Sequence, residues 1–141
     1  MKEQGTGIRE QGTGKSTATR ENVGMGTSYV EYRKFGFWSR DTFLADWIDA
    51  MLAEIQPLSA QERWLGPLSE KWRVQAEIDG GCMSLGLDDF LSDERRRKLL
   101  LTLAGQAVNR CSEESRRTGE LFFALLAGKL TTTASSPIDN F

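Results

Sequence analysis

The chain has no histidine. That removes the usual general base near neutral pH, the commonest metal ligand and the base of most nucleophilic triads. Cysteine is nearly as scarce. Cys82 and Cys111 are the two thiols, too few for a disulfide framework and in no zinc-binding pattern, so they read as reduced thiols in or near the core. Long apolar runs are missing too. None approaches the ~20 residues of a membrane span, and the N-terminus lacks the apolar stretch of a secretory signal. The cytoplasm is therefore the expected location. Catalysis would have to run on carboxylates, Lys, Tyr or Ser, and no spacing of these demands a reaction. The expectation is a protein that is not an enzyme and takes no cofactor or metal.

What is present fits one folded domain. The 141 residues are 39% hydrophobic with four Trp, enough to bury a core. The net charge of −2 argues against a dedicated nucleic-acid binder. Its distribution is uneven. Residues 1–40 carry seven Lys/Arg and four Asp/Glu, residues 41–94 carry three and twelve, and residues 95–141 carry eight and four. A middle segment of −9 lies between segments of +3 and +4. A one-sign surface steers and selects partners.

Residues 1–28 read as a flexible Gly/Thr-rich tail with a seven-residue repeat, Glu3-Gln-Gly-Thr-Gly7 and Glu10-Gln-Gly-Thr-Gly14. Little in it can offset ordering entropy. Gly14-Lys15-Ser16 resembles the end of a phosphate loop, but Arg9 stands where that motif needs Gly and no apolar strand precedes it. A single helical domain is expected over 29–130 and a polar tail over 131–141. Tyr29 to Trp38 is rich in aromatic and β-branched residues and reads as an extended strap broken at Gly36.

Helical periodicity then takes over. Phe43, Leu44, Trp47, Ile48, Met51, Leu52 and Ile55 share one face of a helix over 42–56. Ser39 or Asp41 can cap it, and Pro57 stops it. Ser59-Ala-Gln-Glu62 has the form of a capping box opening a short helix. A further helix is expected over 68–79, ended by Gly80-Gly81. One helical turn follows at Asp88–Leu91, and Ser92 caps a helix running to about Arg110 with a stripe of Leu99, Leu100, Leu103, Ala104, Ala107, Val108 and Cys111. A last helix runs to Leu130. The fold class expected is all-α, a bundle of about four main helices.

Other motifs have plain explanations. Arg95-Arg96-Arg97-Lys98 spreads around most of a helix circumference rather than forming one flat patch. Asp88, Asp89, Asp93 and Glu94 lack calcium-loop spacing. Trp47 and Trp72 sit at core spacing, whereas Trp38 and Trp64 lie near element ends, where exposed aromatics anchor interfaces. Arg40 and Asp41 are placed to form a buried pair that locks the strap.

Gly36-Phe-Trp-Ser-Arg-Asp41, followed by an amphipathic helix and by Gly86-Leu-Asp-Asp-Phe-Leu91 before a long helix, resembles small bacterial proteins of the toxin-immunity kind. The resemblance spans about residues 29–111 and transfers no functional residue. It implies a cytoplasmic inhibitor that occludes a toxin stoichiometrically. The functional expectation is thus a protein-binding domain whose acidic face meets a basic cleft of a bacterial effector, with no membrane partner. Asp46, Asp49, Glu54, Asp79, Asp88, Asp89 and Trp38 are the candidate contacts. The alternative is a nucleic-acid-associated regulator using Arg95 to Lys98.

Overall fold

The aromatic stretch ahead of the first helix folds back on itself. A computed structural model describes residues 26–77 and 83–134. In it β1 (Thr27–Tyr32) pairs antiparallel with β2 (Phe35–Arg40), with Tyr29 opposite Trp38 and Glu31 opposite Gly36. The all-α expectation is therefore corrected: the described residues form a β-hairpin and five α-helices. The physical reason is the turn. Arg33 and Lys34 have φ of 53° and 80°, the two positive values that a type I′ turn needs. Gly36 does not break the segment. It lies inside β2 because Tyr29 crosses over it, and a Cβ there would stand 2.8 Å from the Tyr29 ring and 2.1 Å from the Val30 carbonyl oxygen. Alternate residues Ser28, Val30 and Tyr32 of β1, and Phe37 and Ser39 of β2, are buried.

The first strand begins at Thr27, and Ser28 is fully buried, so both belong to the domain. The repeat, Gly14-Lys15-Ser16, Gly80-Gly81, Asp79, Cys82 and residues 135–141 lie outside the described residues.

Helix α1 (Asp41–Ile55) is the central element, and α2 (Leu65–Gln75), α4 (Glu94–Ala107) and α5 (Arg116–Leu126) pack around it. Its apolar stripe is buried as its spacing predicts: Leu44, Trp47, Ile48, Met51 and Ile55 are inaccessible to solvent. No side chain caps it. Instead the Asp41 N–H donates to the Gly26 carbonyl at 2.8 Å, and the buried Asp41 carboxylate accepts from the Ser28 hydroxyl at 2.6 Å. The expected Arg40–Asp41 pair does not form. Arg40 is exposed, 5.8 Å from the centre of the Phe43 ring.

The capping box at Ser59 is not used. Ser59 Oγ donates backward to the Gln56 carbonyl, closing the 3-10 segment Gln56–Leu58. Helix α2 starts at Leu65, with Gly66 and Pro67 in its first turn, where a missing N–H is harmless. A short α3 (Leu87–Phe90) leads into α4, whose N-cap is Asp93 rather than Ser92: its carboxylate accepts from the Arg96 N–H at 2.8 Å. Helix α5 supplies Phe122, which meets Trp47 of α1 at 5.5 Å and Trp72 of α2 edge-on at 6.0 Å. These three rings join three helices, and such pairs add about 0.5–1.5 kcal/mol beyond their burial. Cys111 is a buried free thiol.

The chain then returns to the hairpin. The Gly36 N–H donates to the Thr132 carbonyl at 3.0 Å, and Thr132 Oγ1 donates to the Gly36 carbonyl. Residues 131–134, assigned from sequence to a tail, thereby cover the outer edge of β2. No described helix is long and apolar enough to cross a membrane.

Candidate binding site

The charge segregation of the sequence is largely consumed inside the molecule. The basic run that opens α4 lies against carboxylates of the acidic segment. Arg95 meets Glu62 at 3.0 Å, Arg96 meets Asp93 at 3.7 Å, and Arg97 pairs with Glu94. At the other end of α4, Arg110 reaches Glu54 of α1 at 2.8 Å. Arg96 also lies 5.0 Å from the centre of the Trp64 ring, and Arg97 donates to the Leu126 carbonyl at 2.6 Å. Hydrogen bonds from Arg95 and then Trp64 hold the Glu62 carboxyl below its ordinary pKa, and Arg97 does the same for Glu94. The three arginines of the basic run are thus already engaged, which leaves Lys98 as its exposed cation without a described ion pair.

The candidate contacts divide accordingly. Asp46 is an anchor of the connection between α4 and α5. It accepts from the Ser112 N–H at 3.1 Å, from the Ser112 hydroxyl at 3.0 Å and from the Ser115 hydroxyl. Burial pushes its carboxyl up, but those three bonds together outweigh it, so its pKa lies below the ordinary value. Glu54 is tied to Arg110. Asp49 is exposed and borders a separate groove between α1 and α2 with Ser69 and Arg73. Trp38 is half-buried on the outer face of the hairpin. Its ring stands 5.1 Å from that of Tyr29, and its indole N–H donates to the Ala134 carbonyl at 3.4 Å.

Asp88 and Asp89 are brought together with residues that the sequence did not single out. They project from α3 beside a cleft of about 230 Å³, whose other wall is β1 through Tyr29 and Glu31. The floor is the Met83–Leu87 stretch. Glu31, Asp88 and Asp89 are exposed, and among the described residues none of them forms an ion pair. Asp88 Oδ1 accepts from the Arg33 N–H at 3.0 Å, which fixes α3 against the hairpin. Burial, and then the Glu31 carboxylate, raise the Tyr29 phenol above its ordinary pKa, and among the described residues its hydroxyl has no partner. Period-2 alternation would have placed Tyr29 and Glu31 on one face, but only the pairing of β1 with β2 puts them opposite α3.

Chemically, this cleft offers hydrogen-bond acceptors and negative charge. Among the described residues no three His, Cys, Asp or Glu come together as metal ligands. The chain matches no protein-family model, and neither the curated proteins nor the solved structures contain a significant match to it.

Proposed function

We propose that this protein is a non-catalytic binding module that holds a basic segment of another protein in the cleft between β1 and α3, in the manner of an immunity- or antitoxin-type inhibitor that occludes its target. One observation carries the reading. Most carboxylates of the acidic segment are spent on internal bases and hydroxyls, while Glu31, Asp88 and Asp89 converge on one cleft without an ion pair among the described residues, the Lys71 side chain reaching only its Gly86 end. An excess of one charge at a concave site attracts and orients an oppositely charged partner. The effector origin of that partner follows from the sequence resemblance alone.

The test uses a Lys-rich decapeptide and its Glu-rich counterpart, titrated against the full chain at 50 and 500 mM salt. The Lys peptide alone should bind, and its affinity should fall at the higher salt, where the Debye length is only about 4 Å. The Asp89→Asn and Glu31→Gln variants should each weaken it at low salt while leaving the melting temperature unchanged. Equal binding of both peptides, or affinity insensitive to these substitutions, would refute the reading.

A further inference from the structure

We propose that the partner enters this cleft as an added β-strand: an extended basic peptide pairs with the outer edge of β1. The proposal rests on the acidic-cleft reading above and specifies how the occupant is held.

The register decides which way the backbone points. In an antiparallel pair, two residues directly opposite each other either bond to one another or both point away. Gly36 sends its N–H to Thr132 and takes the Thr132 hydroxyl on its carbonyl, so it points away from β1. Glu31 lies opposite Gly36. Its N–H and C=O therefore point away from β2, and so do those of Tyr29, two residues earlier. Both residues line the cleft. No hydrogen bond from the described residues reaches their outward backbone groups, so among the described residues this edge of β1 is unpaired.

The two edges of the hairpin are treated differently. That of β2 is covered by residues 131–134. That of β1 faces the Met83–Leu87 stretch, which meets it through a side chain: the Met83 N–H donates to Ser28 Oγ at 3.1 Å, and the next polar groups of the stretch are turned elsewhere. The Ser84 N–H donates to the Gln75 side chain at 2.8 Å, and the Leu85 carbonyl accepts from the Trp72 indole at 2.9 Å. That wall therefore does not serve as the missing strand.

Strand addition draws affinity from backbone bonds and selectivity from alternate side chains. Here the selective groups are Glu31 on the strand and Asp88 and Asp89 on the opposite rim, which favour Lys or Arg at alternate positions. The Tyr29 ring, on the same face as Glu31, offers a surface on which a cation can sit. Charge complementarity thus commits the site to a basic extended segment.

The experiment uses the full chain and three probes: a capped octapeptide of alternating Lys and Val, the same peptide N-methylated at every residue, and its Glu–Val counterpart. N-methylation keeps the charges and removes the backbone donors. The Lys–Val probe should bind, and the methylated probe should bind about tenfold more weakly or worse, since two or more net hydrogen bonds are lost. Hydrogen exchange at the Tyr29 and Glu31 amides should slow on binding. Glu31→Pro removes the outward N–H at a position where an edge strand tolerates proline. It should weaken the Lys–Val probe more than Glu31→Gln does, and the probe pair keeps the test decisive if that variant does not fold.

Equal affinity of the methylated and unmethylated Lys–Val probes, with no protection at Tyr29 and Glu31, would overturn strand addition while leaving the acidic cleft as a site. Failure of both Lys–Val probes to bind would overturn both readings. Protection of the same amides without probe, rising with protein concentration, would assign the edge to a second copy of the chain and overturn the proposal.

Discussion

The Trp47 ring occupies the space a side chain on Gly119 would need. A Cβ built on Gly119 would lie 2.5 Å from Cζ3 and 2.7 Å from Cε3 of that indole. Helix α5 can approach α1 this closely because Gly119 presents no side chain. Gly119→Ala gains about 1 kcal/mol of helix propensity. It also forces a fully buried, rigid ring to shift, and overpacking of this kind costs about 1–3 kcal/mol or more. The clash should win, and the urea midpoint should fall. A midpoint at or above that of the parent would show that the ring can move aside.

The reverse change at the same contact should be worse. Trp47 is fully buried, and truncating such a ring costs roughly 3–5 kcal/mol. Total stability for a domain of this kind is about 5–15 kcal/mol. Trp47→Ala should therefore lose between about a fifth and all of the parent's stability, read as a large fall in the urea midpoint. Retention of the parent midpoint would be inconsistent with the three-ring junction holding α1, α2 and α5 together.

The hairpin turn carries removable strain. Lys34 sits at φ 80°, and a left-handed backbone costs an L residue about 1–2 kcal/mol, of which glycine's greater unfolded-state freedom returns about half. Lys34→Gly should raise stability by about 0.5–1 kcal/mol, read as a higher melting temperature. A lower one would mean that the Lys34 side chain makes a stabilising contact.

This turn also explains what was legible in the sequence. Alternation in Thr27–Tyr32 was present, but a two-residue hairpin is normally marked by Asn-Gly or Asp-Gly, and Arg33-Lys34 gives no such signal. Its geometry is held by a distant group, Asp88, which accepts from the Arg33 N–H, and by the Arg33 guanidinium 4.9 Å from the centre of the neighbouring Tyr32 ring. Helices α1, α4 and α5 were readable because their apolar spacing is strong and local. Asp88 and Asp89 were readable as an acidic pair, whereas Glu31 joins them only through strand pairing. Asp46 and Glu54 read as partner contacts on an acidic face. Their partners Ser112, Ser115 and Arg110 lie 56–69 residues away in sequence, beyond the reach of any periodicity argument. A combined neutralisation of Asp46, Asp49 and Glu54 would therefore disturb the fold as well as the surface.

Asp46 gives that disturbance a pH signature. Its folded pKa lies below the ordinary value of 3.8 because the hydrogen bonds from Ser115 and Ser112 outweigh the effect of burial. A depressed carboxylate contributes stability that is fully present above the unfolded pKa and is lost as pH falls through the folded one. At pH 7 Asp46→Asn should cost about 1–3 kcal/mol, the usual effect of weakening hydrogen bonds to a charged, partly buried group. Below about pH 3.8 the parent loses this contribution and the variant has none to lose, so their urea midpoints should converge. Glu62 and Glu94 are also held low, but they titrate in both proteins and cancel in the difference. Midpoints measured for the pair between pH 7 and 2.5 decide the matter. A gap that stays constant over that range would mean that the Asp46 contribution comes from shape rather than from its ionised form.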